Sequence, residues 1–368
     1  MRAATLTAAT RIISSRRIST AICSAHVRTN CIRRLIPFLV SRQILCGTGK
    51  IAQIGQQVKY QISQRADFFT TVLGLQTTHD RPLINTRDEP HADPARFRRL
   101  HVIVGDANLS EFSTYLKVGT TALVLEALSE SRLRLNLALA DPIWAGTGNR
   151  LTITCRATVE LEDGRELTAI DLQRVLAQAV GQYLDAQGDH GYRRDLCQHW
   201  INVLDQLAAD PFQLAGRIDW IIKYDLLLAQ QEELGCAWDD PRLRALDIKY
   251  HQIDVQPTLF SYLKSQGVAE TLIPAEQVKT AAAAPPPSTR ARLRTACLER
   301  YGRQLQAASW DSLVFKGAKE TVWRWFLDDP RDDGITRLAA YWDQSPDLET
   351  LIRLLYTSDS HSERSTNP

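Results

Sequence analysis

The chain has 368 residues, 44% of them hydrophobic and 23% charged, and its 44 Lys and Arg nearly cancel its 42 Asp and Glu to leave a formal charge of +2. That is ordinary for a soluble globular protein with room for two domains and a sizeable core. No apolar run approaches the ~18 residues of a membrane span, and the basic leader lacks the aromatic platforms of single-strand binders, so neither a membrane nor a nucleic acid is expected as partner.

Residues 1–34 are rich in Arg, Ser, Thr and Ala, contain no acidic residue, and include Arg11, Arg16, Arg17, Arg28, Arg33 and Arg34. This is the composition of a mitochondrial transit peptide. Leu35 to Ile44 reads as a helix started or broken by Pro37 and ended by Gly47-Thr48-Gly49-Lys50. That tetrad is not a P-loop, which needs four residues between its glycines and a Ser or Thr after the lysine, where Ile51 stands. Between Lys59 and His101 short strand-like runs alternate with loops, the pattern of an antiparallel sheet.

The densest chemistry lies in Ile84-Asn85-Thr86-Arg87-Asp88-Glu89-Pro90-His91-Ala92-Asp93 and the strand that follows it. From Arg99 to Val104 the pattern alternates, which puts Arg99, His101 and Ile103 on one face and Leu100, Val102 and Val104 on the core face. A guanidinium two residues from an imidazole suits a polar cleft that takes phosphate oxygens and a metal; an amphipathic strand facing water gives the same spacing. Arg87 can grip a carboxylate or phosphate through two parallel bonds. Glu89 and His91 suit either a salt-bridged loop or a ligand-holding role.

Further along, Asn108-Leu109-Ser110-Glu111 reads as a capping box opening a helix with Phe112, Leu116, Leu123, Ala127 and Leu128 on its core face, and Gly119 as a packing or kink position. Leu151 to Leu161 alternates, and Asp163-Gly164 reads as a hairpin turn. From Asp171 the period becomes helical, with Leu172, Val175, Leu176, Ala179 and Tyr183 on one face and Leu196, Trp200, Val203, Leu204 and Leu207 on another. Trp220 and Trp238 read as helix-packing aromatics. Ala281 to Ser288 is a stiff Ala/Pro linker and the expected domain boundary, giving domains over 35–284 and 285–355, and 356–368 reads as a disordered tail. His199, His251 and His361 lack charged partners at helical spacing and read as incidental. Seven cysteines without a Cys-x-x-Cys pair argue against zinc or a disulfide framework and for a reducing, cytoplasmic setting.

Long stretches of this sequence resemble the Pup-processing enzymes, the family of the Pup ligases and the Pup deamidase/depupylases. The resemblance is carried by Ile36-Pro37-Phe38-Leu39-Val40-Ser41-Arg42-Gln43, Gln61-Ile62-Ser63-Gln64-Arg65-Ala66-Asp67-Phe68-Phe69 and the Ile84 to Asn108 segment. It continues through Tyr115-Leu116-Lys117-Val118-Gly119-Thr120-Thr121, Asp219-Trp220-Ile221-Ile222-Lys223, Leu246-Asp247-Ile248-Lys249-Tyr250-His251, Pro286-Pro287-Ser288-Thr289-Arg290-Ala291-Arg292 and Ala307-Ala308-Ser309-Trp310-Asp311-Ser312. Gln-Ile-Ser-Gln-Arg-Ala-Asp-Phe-Phe, Asp-Ala-Asn-Leu and Ala-Ala-Ser-Trp-Asp-Ser are more similar to the depupylase branch.

The resemblance implies an α+β, glutamine-synthetase-like (carboxylate-amine ligase) fold, a curved antiparallel sheet backed by helices, with a small C-terminal domain. It implies ATP and magnesium as cofactors, and Pup and pupylated proteins of the proteasome pathway as partners. Carried over from the family, Arg99 and Trp310 would contact ATP and His101 would bind magnesium; beside them Arg87 is a candidate ATP contact by its guanidinium, and Glu89 and His91 are candidates either for a salt-bridged loop or for holding nucleotide or Pup's C-terminal glutamate. The activity implied is hydrolysis of the Pup–lysine isopeptide bond and deamidation of Pup's terminal glutamine. The alternatives are Pup ligation and a catalytically dead fragment that binds Pup. The family's Gly-x-Glu-x-Glu strand, aspartate loop and His-Pro-Glu-Tyr segment do not occur, so no catalytic residue is assigned here. The family is bacterial, so the expectation for 1–34 is a misread or truncated gene start.

Overall fold

The computed structural model describes residues 25–76, 79–88, 91, 99–130, 132–133, 135–146, 152–254, 256–286, 289–317, 321–327, 329, 347–351 and 363–365. Among these the chain divides into two units, one of residues up to Arg87 with Arg99–Leu272, the other of Asp88–Arg98 with Ile273 onward.

The first unit opens with a helix over Ala25–Ser41 that carries Pro37 in its interior. Pro37 therefore neither starts nor breaks it, and the expected break at residue 34 falls inside a continuous helix. The Ser41 hydroxyl donates to the Pro37 carbonyl at 2.6 Å, and Leu35, Ile36, Phe38, Leu39 and Val40 are buried. A short turn of helix, Gln43–Cys46, leads into a hairpin of β1 (Lys50–Ile54) and β2 (Gln57–Gln61). Gly49 sits at φ +63, and a Cβ there would fall 1.7 Å from the Tyr60 hydroxyl, so this turn needs glycine for both conformation and space.

β3 (Phe69–Gly74) and β4 (Arg81–Asn85) pair in parallel, and β5 (His101–Val102) pairs antiparallel with β4. The class is α+β as expected, but this small sheet is mixed rather than antiparallel throughout. β5 is also shorter than the alternation over 99–104 predicts. Ile103 and Val104 are both buried, at 5% and 6% exposure, because the chain leaves the strand after Val102 and turns at Gly105 with φ +137.

The helix Glu111–Ser129 is capped by Ser110, whose hydroxyl accepts from the Ser113 amide, not by Asn108 as the capping-box reading has it. Gly119 is a packing position: a Cβ there would lie 2.5 Å from a Leu196 methyl. β6 (Thr158–Glu160) and β7 (Glu166–Thr168) form the hairpin anticipated at Asp163-Gly164, while Cys155, at φ +54, breaks the alternation before it. Helices Ala169–Ala186 and Tyr192–Ala209 pack on each other. They bury Leu172, Leu176, Tyr183, Leu196, Trp200, Val203, Leu204 and Leu207, the faces the periodicity predicts. Helices Asp219–Leu234, Pro241–Tyr250 and Leu259–Ser265 complete the unit. Trp220 is wholly buried, and Trp238 stacks on Tyr224 at 5.7 Å.

The second unit starts with the helix Ala275–Ala283, which has no buried residue and occupies part of the stretch expected to be linker. Helix Arg290–Tyr301 contributes Leu293, Cys297 and Tyr301 to a small core with Leu313 and Phe315. Its sheet runs β11 (Glu363–Ser365), β10 (Val322–Phe326), β9 (Ser312–Lys316), β8 (Leu305–Ala308), all antiparallel. The expected disordered tail thus supplies a strand to this sheet.

Candidate functional site

The β4–β5 register sets Asn85 opposite His101 and Ile84 opposite Val102. Two residues before His101 and just outside β5, the Arg99 guanidinium lies 3.2 Å from the imidazole Nδ1, with both side chains half-buried. Guanidinium has no acceptor, so this bond runs from Arg99 to an unprotonated Nδ1, which places the ring proton on Nε2. An imidazole in that state offers a metal no lone pair. Among the described residues no group of three or more His, Cys, Asp or Glu is placed to hold a metal ion, and magnesium prefers oxygen ligands. The donor set among the described residues does not fit magnesium.

The other predicted site residues disperse. Arg87 is exposed in the first unit, its amide donating to Asn85 Oδ1 at 2.9 Å. Glu89 lies outside the described residues. In the second unit, His91 Nδ1 stands 3.6 Å from Asp311 Oδ2, and the His91 carbonyl accepts from Arg290 at 2.8 Å. Trp310 is 64% exposed, with the Arg294 guanidinium 5.0 Å over its ring. The structure therefore brings Arg99 and His101 together, with Arg87 in the same unit, and places His91 and Trp310 in the other.

Sequence reasoning missed the buried polar network that holds this region. Asp106, at 1% exposure, accepts from the amides of Thr48 (2.9 Å), Gln64 (2.8 Å) and Arg65 (3.2 Å) and from the Ser63 hydroxyl (3.0 Å). It thereby joins the Gly47–Lys50 turn and the Gln61–Phe69 motif to the end of the β5 segment. Asp219, wholly buried, accepts from Asn108 Nδ2 at 2.9 Å, the Ser110 amide at 3.0 Å and the Tyr250 hydroxyl at 3.0 Å. Burial raises its carboxyl pKa, and these bonds pull it back.

Lys223, also wholly buried, donates to the Gly49 carbonyl at 2.8 Å and to His251 Nε2 at 3.0 Å, and pairs with Asp247, whose other oxygen accepts from the Ile51 amide. Desolvation lowers the Lys223 pKa against the pull of Asp247. Burial and the adjacent Lys223 charge push His251 down to about 3. His251 is thus a fixed neutral acceptor rather than an incidental histidine. Its partner stands 28 positions away, beyond any helical spacing, and the one signal in the sequence was the resemblance carried by both segments.

The α+β first unit thus sets a guanidinium beside an imidazole at the start of a short strand. The chain belongs to the Pup-ligase protein family, whose profile matches residues 23–314. That match begins ahead of the helix Ala25–Ser41. The chain is 44% identical over 287 residues to the Pup deamidase/depupylase of Mycobacterium tuberculosis (strain CDC 1551 / Oshkosh), covering 76% of this chain and 57% of that protein. It is 38% identical over 261 residues to the Pup–protein ligase of Mycobacteroides abscessus, covering 71% of this chain and 58% of that one. The solved structure of the Pup ligase PafA in complex with ADP superposes with a TM-score of 0.74 at 30% identity, covering 87% of this chain and 71% of the ligase. The chain spans somewhat over half the length of the curated relatives it matches.

Proposed function

We propose that this chain carries part of an ATP-dependent Pup deamidase/depupylase, which hydrolyses the isopeptide bond between Pup and a substrate lysine and deamidates Pup's terminal glutamine. The observation that carries this reading is the 44% identity to a depupylase against 38% to a ligase. The glutamine-synthetase-like frame and the ADP held by the related ligase support ATP as the nucleotide. In this reading Arg99 and Arg87 bind phosphate or carboxylate oxygens, where oriented guanidinium donors stabilise developing negative charge. Trp310 offers an aromatic face in the second unit.

Magnesium at His101 enters the proposal only with carboxylates from beyond the described residues and with Arg99 withdrawn from Nδ1. Pup and pupylated proteins are the proposed partners. No described helix is long and apolar enough to cross a membrane, and a cytoplasmic setting is part of the proposal.

Incubation with ATP and a Pup-tagged protein separates the readings. Release of free Pup supports depupylation. Conjugation when Pup ending in glutamate is offered with an untagged protein overturns it for the ligase, and Pup capture without turnover overturns it for a binding fragment.

A further inference from the structure

Three successive carbonyls just beyond β5 are each held by a different cation. Arg42 Nη2 donates to the Val104 oxygen at 2.9 Å, Arg65 Nη1 to the Gly105 oxygen at 3.2 Å, and Lys117 Nζ to the Asp106 oxygen at 2.8 Å. The three cations come from separate places: the end of the first helix region, the loop after β2, and the helix Glu111–Ser129. Arg42 also donates to the Thr121 hydroxyl at 2.6 Å, which ties it to the same helix as Lys117. Gly105 makes the arrangement possible, since its φ of +137 is rare for an L side chain and a Cβ there would lie 3.3 Å from Arg42 Nη2.

For stability alone this is a poor use of charge. Arg42 is 5% exposed, and burial depresses the pKa of all three cations. Their partners in these bonds are carbonyl and hydroxyl oxygens rather than carboxylates. Desolvating these cations is costly even though the nearby Asp106 carboxylate pulls Arg65 and Lys117 back towards their ordinary pKa, so the bonds bring less net stability than their number suggests. What three convergent bonds do give is position: residues 104–106 cannot shift or twist without breaking bonds to three separate parts of the fold, and His101 stands three residues upstream.

We propose that Arg42, Arg65 and Lys117 are positioning residues, a carbonyl clamp that fixes where the Arg99–His101 pair stands for an anionic ligand. This rests on the reading of that pair as a nucleotide contact. None of the three is proposed to touch ligand.

The test compares the full chain with Lys117→Met, which keeps the length of the side chain and removes its charge and bond, and with Lys117→Arg, which keeps both. ATP affinity is measured by titration calorimetry, melting temperature by scanning calorimetry, and the His101 ring resonances by NMR. The clamp predicts that Lys117→Met stays folded, melting lower because the Asp106 carbonyl loses its donor, moves the His101 resonances, and weakens ATP about tenfold or more, as a misplaced binding group does. Lys117→Arg should recover most of the affinity and the wild-type resonances. Unchanged His101 resonances in folded Lys117→Met overturn the clamp.

If the wild-type chain binds no ATP, the nucleotide reading fails by itself. The His101 resonances then decide the clamp alone. If Lys117→Met does not fold, Arg65→Met at the middle carbonyl, where the side chain is half-exposed, replaces it under the same criteria.

Discussion

At Lys223 a single ammonium meets a carboxylate, a carbonyl and an imidazole with no exposure to water. Removing one member of such a set strands the others. Lys223→Met is expected to destabilise the chain by about 3–5 kcal/mol, whereas Lys223→Met with Asp247→Leu recovers only part of that loss, because the pair removes the stranded carboxylate but leaves the Gly49 carbonyl and the Ile51 amide without their partners. Urea denaturation of the two variants checks this.

His251 carries the acid sensitivity of the same cluster. Its folded pKa of about 3 lies below the ordinary 6.5, so its contribution is complete above pH 6.5 and drains away as pH falls towards 3. Asp225 opposes it: burial raises this carboxyl from 3.8 to about 6, so its contribution is complete below pH 3.8 and is lost as pH rises through 6. His251→Gln should therefore flatten the fall in urea midpoint between pH 6.5 and 4, and Asp225→Asn should steepen it. A His251→Gln profile parallel to wild type would contradict the assignment.

Among the secondary-structure elements, local signals were read well where local physics decides them. The helices Ala169–Ala186 and Tyr192–Ala209 bury the faces that their periodicity marks, and Asp163-Gly164 turns the hairpin. Thr168 begins the first of these helices with a reciprocal cap, its hydroxyl accepting from the Asp171 amide while Asp171 accepts from the Thr168 amide. Thr168→Ala should cost about 1 kcal/mol, measurable as a shift in urea midpoint with unchanged slope.

The misreadings have a common cause, a distant partner that outbids a local one. Asn108 looks like a helix cap but spends its amide on Asp219, 111 residues away. Ile103 looks like a polar-face residue because alternation assumes a strand that continues, and the Gly105 turn ends it. At the candidate site, the closeness of Arg99 and His101 was legible because they are only two residues apart in the chain, although Arg99 lies just outside β5. Asp106, Lys117, Arg42 and Arg65 were not, since nothing in their own neighbourhoods shows that they converge.

For the molecule as a whole, the organising fact is that Asp88–Arg98 leaves the first unit between β4 and β5 and belongs to the second. Arg290, 6% exposed, holds this excursion through one nitrogen that donates to both the His91 and Leu327 carbonyls at 2.8 Å. Arg290→Ala leaves the buried Leu327 carbonyl and the partly buried His91 carbonyl without this donor, an expected loss of about 1–3 kcal/mol. Hydrogen–deuterium exchange should show it as faster exchange in β9 and β10, with the helices Ala169–Ala186 and Tyr192–Ala209 unchanged. Equal acceleration in those helices would mean that the two units unfold as one.

That excursion also constrains how the gene can be rearranged. A stop codon after Leu272 would strip His91 of its Arg290 and Asp311 partners, and a start at Ile273 would leave Arg290 reaching for a carbonyl encoded elsewhere. Neither unit can be lent to another protein by a single crossover, so insertions and fusions are better tolerated at the exposed Gly188 or Gly164 turns than at the seam that the Ala/Pro run advertises.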